Sequence, residues 1–228
     1  MTVAPLHRRL LAEGVGTALL VTVVVGSGIA AQRLSPDDVG LQLLENSVAT
    51  MLGLGVLVAL LGPVSAHLNP VISAADWWLG RRGGTGLGGR DLTAYAVVQT
   101  VGAVLGCLLA NAMYDVPVHL ATTDRSGAHL WLGEVVATAG LVGLVVALAR
   151  TGRLVLAAPA VGAYIGAAYW FTSSTSFANP AVTVGRAFSD TFAGIAPSSV
   201  PGFVLAQLVG AAVGVALAVT LYPKDATP

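Results

Sequence analysis

The residues able to do chemistry in this chain are few, and they recur in pairs. Glu13 and Glu134 stand alone in apolar runs, as do Gln99 and Gln207, while Asn69-Pro70 and Asn179-Pro180 open two short apolar stretches. A carboxylate in such a run has two uses: a proton relay, or an acceptor for backbone N–H groups that irregular chain leaves unpaired. Symmetric placement favours bracing, with Gln99 and Gln207 as hydrogen-bonding partners between helices. The four histidines (His7, His67, His119, His129) are scattered, without metal-ligand spacing and with no nucleophile beside them. Hydrolase or transferase chemistry has no candidate residues, and neither a metal nor a cofactor is expected. The single cysteine, Cys107, rules out an internal disulfide or a cysteine-based metal cluster and reads as packing.

The paired residues need elements to hold them. Asparagine is a preferred N-cap, and proline fits the first helical position, where its missing N–H needs no partner. The run Pro180–Phe188 spans roughly 14 Å at about 1.5 Å per residue, half of a hydrocarbon core of roughly 30 Å. A helix of half that thickness is tolerated only where its loose end meets buried protein or a wet cavity. The surroundings are apolar: 55% hydrophobic residues, 10% charged, and a mean hydropathy of +0.81. Soluble domains carry about 25% charged residues, so this composition is that of an integral membrane protein. A net charge of zero argues against a nucleic-acid partner. The N-terminal segment lacks a cleavable-signal pattern, because the apolar run after Arg9 is long enough to span.

Six stretches are long enough to cross a bilayer: Leu10–Ala31, Leu41–Leu61, Leu92–Met113, Leu130–Ala149, Leu154–Phe171 and Phe203–Leu221. Between the second and third lies the short segment that Asn69 opens, running to Leu79. The order Glu, Asn-Pro, Gln-x-Val-Gly-Ala occurs twice, which marks an internal duplication, residues 1–113 and 128–222. Three spans per copy is odd, so the second copy is inverted. Fold class is therefore an all-α membrane protein, one transmembrane domain of six helices and two re-entrant half-helices meeting near the midplane.

Orientation follows the basic residues. Arg8, Arg9, Arg81, Arg82, Arg90, Arg150, Arg153 and Lys224 fall on the side of the termini; Arg33, Arg125 and Arg186 fall on the other. Both termini are thus expected in the cytoplasm of a multi-pass cell-membrane protein, with residues 114–129 as the external linker. Residues 81–89, with five glycines, read as a flexible cytoplasmic connection.

Two half-helix N-termini at one level place positive partial charge there and repel cations, including protons moving along water. Asn69 and Asn179 would turn amide donors into the lumen. The unwound residues before each half-helix, chiefly Ala66, His67, Leu68, Phe177 and Ala178, would line it with backbone carbonyl acceptors. Such a pore replaces the hydration of a small neutral polyol.

These motifs resemble the aquaporin or major intrinsic protein family. The resemblance runs from Glu13 to Tyr222 and rests on Ser65-Ala66-His67-Leu68-Asn69-Pro70-Val71, on Phe177-Ala178-Asn179-Pro180-Ala181-Val182-Thr183, and on the paired Glu and Gln residues. It implies a lipid-embedded homotetramer with one passive pore per subunit. Three departures stand out: Val71 where the family usually has Ala, one glycine fewer before the first box, and Val182 where the selectivity-filter Arg normally stands. The resemblance carries the other filter positions to Ala167, to Ser176, and to Ala49 or Thr50. That filter would be small, wide and largely uncharged. It is similar to that of bacterial members associated with arsenic resistance, which makes As(OH)₃ or methylated arsenicals the expected solutes, with glycerol beside them. Arg186, one turn beyond Val182, either reaches back toward the filter or sits at the outer mouth paired with Asp190; the pairing is favoured. The alternatives are a glycerol and water facilitator without a metalloid role, and a proton-coupled transporter working through Glu13 or Glu134.

Overall fold

The computed structural model describes residues 4–81 and 85–223. Arg82 and Lys224 of the charge count, and two glycines of the 81–89 connection, lie outside the described residues.

Helices α1 (Leu6–Leu34) and α2 (Val39–Leu61) are followed by the short α3 (Pro70–Gly80) and by α4 (Gly89–Met113). The pattern then repeats as α5 (Ala128–Arg150), α6 (Ala157–Phe171), the shorter α7 (Pro180–Gly185) and α8 (Val200–Leu221). A 3₁₀ turn, Leu154–Leu156, leads into α6, and together they form the fifth span. Among the described residues, six helical segments are long and apolar enough to cross a membrane, and α3 and α7 are the two half-helices between them. The second half-helix is shorter than Pro180–Phe188: its α-helical part stops at Gly185, and Arg186–Phe188 tighten into a 3₁₀ turn.

Caps set the starts of both half-helices. Asn69 Oδ1 accepts from the Val71 amide at 3.1 Å, and Asn179 Oδ1 accepts from the Ala181 and Val182 amides at 3.0 and 3.3 Å. Pro70 and Pro180 take the first helical position.

The chain is turned inside out relative to a soluble bundle. Leu52, Val56 and Leu60 on α2, and Val97, Val101 and Leu105 on α4, face outward. Glu13, Gln99, Glu134 and Gln207 are fully buried. In lipid, apolar contact gives helices little reason to associate, so close backbone packing and polar bonds must hold them. The two most extensive helix pairs are α1 on α4 and α5 on α8. Where α4 crosses α1, a Cβ on Gly106 would run into the Ala18 carbonyl oxygen; where α8 crosses α5, a Cβ on Gly214 would run into that of Ala139.

Candidate functional site

Each buried carboxylate grips the irregular segment before one half-helix. Glu13 Oε1 accepts from the His67 amide at 2.8 Å and from the Ser65 hydroxyl; Oε2 accepts from the Leu68 amide at 2.6 Å and Gln99 Nε2 at 2.8 Å. Glu134 accepts from the Phe177 and Ala178 amides, both at 2.9 Å, and from Gln207 Nε2 at 2.6 Å. The two glutamines also bind the half-helices themselves, Gln99 to the Ser73 hydroxyl and Gln207 to that of Thr183. Four donors on one carboxylate and three on the other satisfy most of their acceptor capacity.

That grip fixes an unusual backbone turn. Leu68 and Ala178, directly before the two asparagines, have φ of 50° and 48°, left-handed values that bulky residues avoid. Such strain persists only where surrounding contacts over-determine it. Here a carboxylate holds each amide from one side, and the opposing asparagine holds each carbonyl from the other. Asn69 Nδ2 donates to the Ala178 carbonyl at 2.8 Å, and Asn179 Nδ2 donates to the Leu68 carbonyl at 2.7 Å. The asparagines thus lock the two half-helices together as well as capping them. The Leu68 and Ala178 carbonyls each accept one such bond, so one of the two lone pairs of each is taken by the opposing asparagine.

A cavity of about 1300 Å³ runs past this junction. Asn69 and Asn179 line it, with Ala66, His67, Leu68, Phe177 and Ala178 from the irregular segments. His67 is held by its ring, with Nδ1 3.1 Å from the Ser73 hydroxyl. Pro70, Val71, Pro180 and Ala181 do not line it: they form the helix starts behind the wall. At one end of the cavity stand Arg9 and Asp91, an ion pair at 3.0 Å, with Arg9 also donating to the Tyr95 hydroxyl at 3.3 Å.

The opposite end differs from the sequence reading at three points. Of Ala49 and Thr50, only Thr50 lines the cavity. Ala167 is exposed on the outside of α6, and the cavity face of that helix is Val161, Ile165 and Tyr169, successive residues four apart. Tyr169 therefore takes the place assigned to Ala167, and its hydroxyl lies 3.1 Å from that of Thr50. Ser176 and Val182 do line the cavity. Arg186 is not paired with Asp190. Its guanidinium is 2% exposed, donates through Nε to the Ala193 carbonyl, and lies 3.4 Å over the Phe177 ring. Asp190 instead accepts from the Thr122 amide at 2.8 Å and hydroxyl at 3.0 Å. Arg186 lines the cavity as well, so this end is neither small nor uncharged.

Arg125, from the linker, approaches the Phe177 ring at 5.1 Å. It is fastened through Nε to the Gly194 carbonyl at 2.8 Å. Burial lowers its guanidinium pKa from the ordinary value, with the charge of Glu134 acting against that. Tyr169 and Arg125 carried no sequence signal, since neither belongs to a duplicated motif.

The family model for major intrinsic proteins matches residues 1–177. The chain belongs to that family. As a member it is a channel and not an enzyme, conducting small neutral solutes through a multi-pass membrane domain. Among its relatives is the aquaglyceroporin AqpS of Rhizobium meliloti, 49% identical over 215 residues, which cover 93% of this chain and 89% of the relative. The propanediol uptake facilitator PduF of Citrobacter freundii is 30% identical over 186 residues, covering 71% of this chain and 66% of the facilitator. The X-ray structure of the Plasmodium falciparum aquaglyceroporin superposes with a TM-score of 0.65 at 18% identity and 96% coverage of both chains, a likeness of fold.

Proposed function

We propose that this family member conducts glycerol-sized neutral polyols passively and that arsenous acid, As(OH)₃, and its methylated forms are among its solutes. The observation that carries the reading is Val182, an apolar side chain on the cavity wall at the first turn of α7. With the hydroxyls of Thr50 and Tyr169 on the facing helices, it pairs an apolar surface with hydroxyl partners. A triol has the same two faces, and so does arsenous acid. The nearest thiol, Cys107, is fully buried, and conduction needs weak binding. The subunit works in a homotetramer in the cell membrane with both termini cytoplasmic, which puts the Arg9 end inside and the Arg186 end outside. Proton coupling is disfavoured by Glu13 and Glu134, whose oxygens are occupied by backbone and amide donors.

Proteoliposome swelling in glycerol, with arsenite uptake followed by mass spectrometry, tests the reading. Both solutes should cross, linearly in concentration and independently of a pH gradient. Val182→Arg should cut both fluxes about tenfold, the factor of roughly 1.4 kcal/mol in barrier height. Vesicles that pass water and neither solute overturn the reading; passage of glycerol without arsenite leaves a polyol facilitator.

A further inference from the structure

Among the described residues, the one ion pair is Arg9 with Asp91, at one end of the cavity. The other end holds a guanidinium, that of Arg186, which lines the cavity, is 2% exposed and pairs with no carboxylate among the described residues. A buried charge is costly unless something compensates it. What compensates Arg186 is an aromatic face and one backbone carbonyl: the Phe177 ring at 3.4 Å and Ala193 O. Neither cancels the charge, so its field extends into the cavity, where a low-dielectric wall screens it less than water would. Arg125, on the same ring at 5.1 Å, adds charge of the same sign. The Glu134 carboxylate is fully buried and spends its acceptors on the Phe177 and Ala178 amides and on Gln207.

We propose that Arg186, supported by Arg125, is the charge-selecting residue of this pore, barring inorganic and organic cations where Val182 leaves the wall uncharged. Neutral hydroxylated solutes pass a fixed guanidinium because they present it an oxygen acceptor; a small cation meets only repulsion. Placement on the 3₁₀ turn after α7, tied to Ala193, sets the charge back against Phe177, so that the wall at Val182 stays apolar. Arg125 acts from behind the ring, from the linker, and lines a separate surface pocket with Gln32, Thr191 and the acid Asp190, which offsets part of its charge and leaves Arg186 the stronger of the two. It is a positioning and field-setting residue rather than one that a solute in the main cavity touches.

The inference rests on the channel reading, and the two fail differently. Sealed vesicles carrying the full chain report cation entry through a potential-sensitive dye under a potassium or methylammonium gradient, and neutral entry through swelling in glycerol. The wild-type chain should swell and stay tight to both cations. Arg186→Gln should raise cation entry about tenfold or more, Arg125→Gln should raise it less, and Arg186→Lys should keep the pore tight. In the Arg186→Gln background, Val182→Arg should restore tightness by returning a cation to the wall. Should Arg186→Gln fail to fold, Val182→Glu in the otherwise unchanged chain decides. A carboxylate one turn from Arg186 neutralises it, and cation entry should rise. A pore that stays cation-tight in Arg186→Gln, or in Val182→Glu where the first variant does not fold, overturns the proposal; a wild-type chain that never swells overturns the channel reading instead.

Discussion

The two repeats build the same clamp and then end differently. Glu13 with Gln99 and Glu134 with Gln207 hold equivalent turns, and each turn has one left-handed residue whose carbonyl meets the opposing asparagine. Beyond the clamp the likeness stops. The arginine at the first repeat's end of the cavity, Arg9, is paired with Asp91 and partly open to solvent. The arginine at the second repeat's end, Arg186, is buried, stacked on Phe177 and in no ion pair among the described residues. The scaffold is symmetric, and on the proposed reading selectivity lies in what breaks the symmetry: a pore with two mouths and one discriminating constriction needs a buried charge at one end only.

Substitutions made in pairs, one per repeat, separate scaffold from selectivity. The largest effect should come from the helix crossings. Gly106→Val and Gly214→Val each drive a side chain into a facing carbonyl, that of Ala18 or of Ala139. Overpacking of a well-fitted contact costs about 1–3 kcal/mol where the surroundings can shift; a collision with helical backbone lies at or beyond the upper end. Both variants should lose the folded monodisperse peak in size-exclusion chromatography in detergent. Survival of one with loss of the other would show that the two helix pairs are not equivalent supports.

Next in size are the clamps. Glu13→Gln and Glu134→Gln keep the shape but replace an acceptor oxygen with an NH₂ group facing backbone N–H groups. Hydrogen bonds to charged groups are worth about 1.5–3 kcal/mol, and an orphaned buried donor costs a further 1–3. Thermal unfolding in detergent should show both variants destabilised by several degrees. The Ser65 hydroxyl can turn to accept from the new NH₂ group, so Glu13→Gln orphans a backbone N–H just as Glu134→Gln does, and the two losses should be alike. Clearly unequal losses would mean that the two clamps are not energetically equivalent.

How far the sequence could see follows the same division. The spans were legible because a bilayer demands long apolar runs, and the half-helices because an Asn-Pro cap fixes a helix start. The Glu–Gln pairing was legible because it occurs twice in the same order. The charged end of the cavity was not. Ala167 came from the resemblance, and between that α6 position and the anchoring Asn179 lies the irregular segment 172–179, in which Thr175 and Ser176 have φ of 60° and 51°. A helix turns about 100° per residue, so a two-residue offset reverses the face. Tyr169 rather than Ala167 then points inward. Arg186 was misread for a related reason. Its pairing with Asp190 assumes α-helical spacing of four, but the α-helix ends at Gly185 and the tighter turn that follows leaves the two side chains with different partners. Where regular structure ends, sequence offsets no longer fix direction.

The smallest expected effects are at two acids outside the clamps, Asp91 and Asp190, and they sharpen the contrast between the ends. Asp91→Asn breaks a partly exposed ion pair, and with exposed pairs worth about 0–1 kcal/mol it should shift the unfolding midpoint little. Asp190 forms no ion pair among the described residues; it fastens the linker through the Thr122 amide and hydroxyl. The bond from the Thr122 amide, then that from its hydroxyl, holds the Asp190 carboxyl below its ordinary value. A group whose folded pKa is depressed contributes stability at neutral pH, and that contribution is lost as pH falls below the unfolded value of about 3.9 and through the folded one. Hydrogen exchange of the Thr122 amide, corrected for its intrinsic rate, should therefore keep its protection at pH 5 and lose it progressively below pH 4. Asp190→Asn should lower protection already at pH 5 and flatten the dependence, since an amide oxygen is the weaker acceptor and does not titrate. Unchanged protection across that range in both proteins would mean that the linker is held by its backbone contacts, Ala121 to Ala187 and Ala196 to Thr123, and that the carboxylate is incidental.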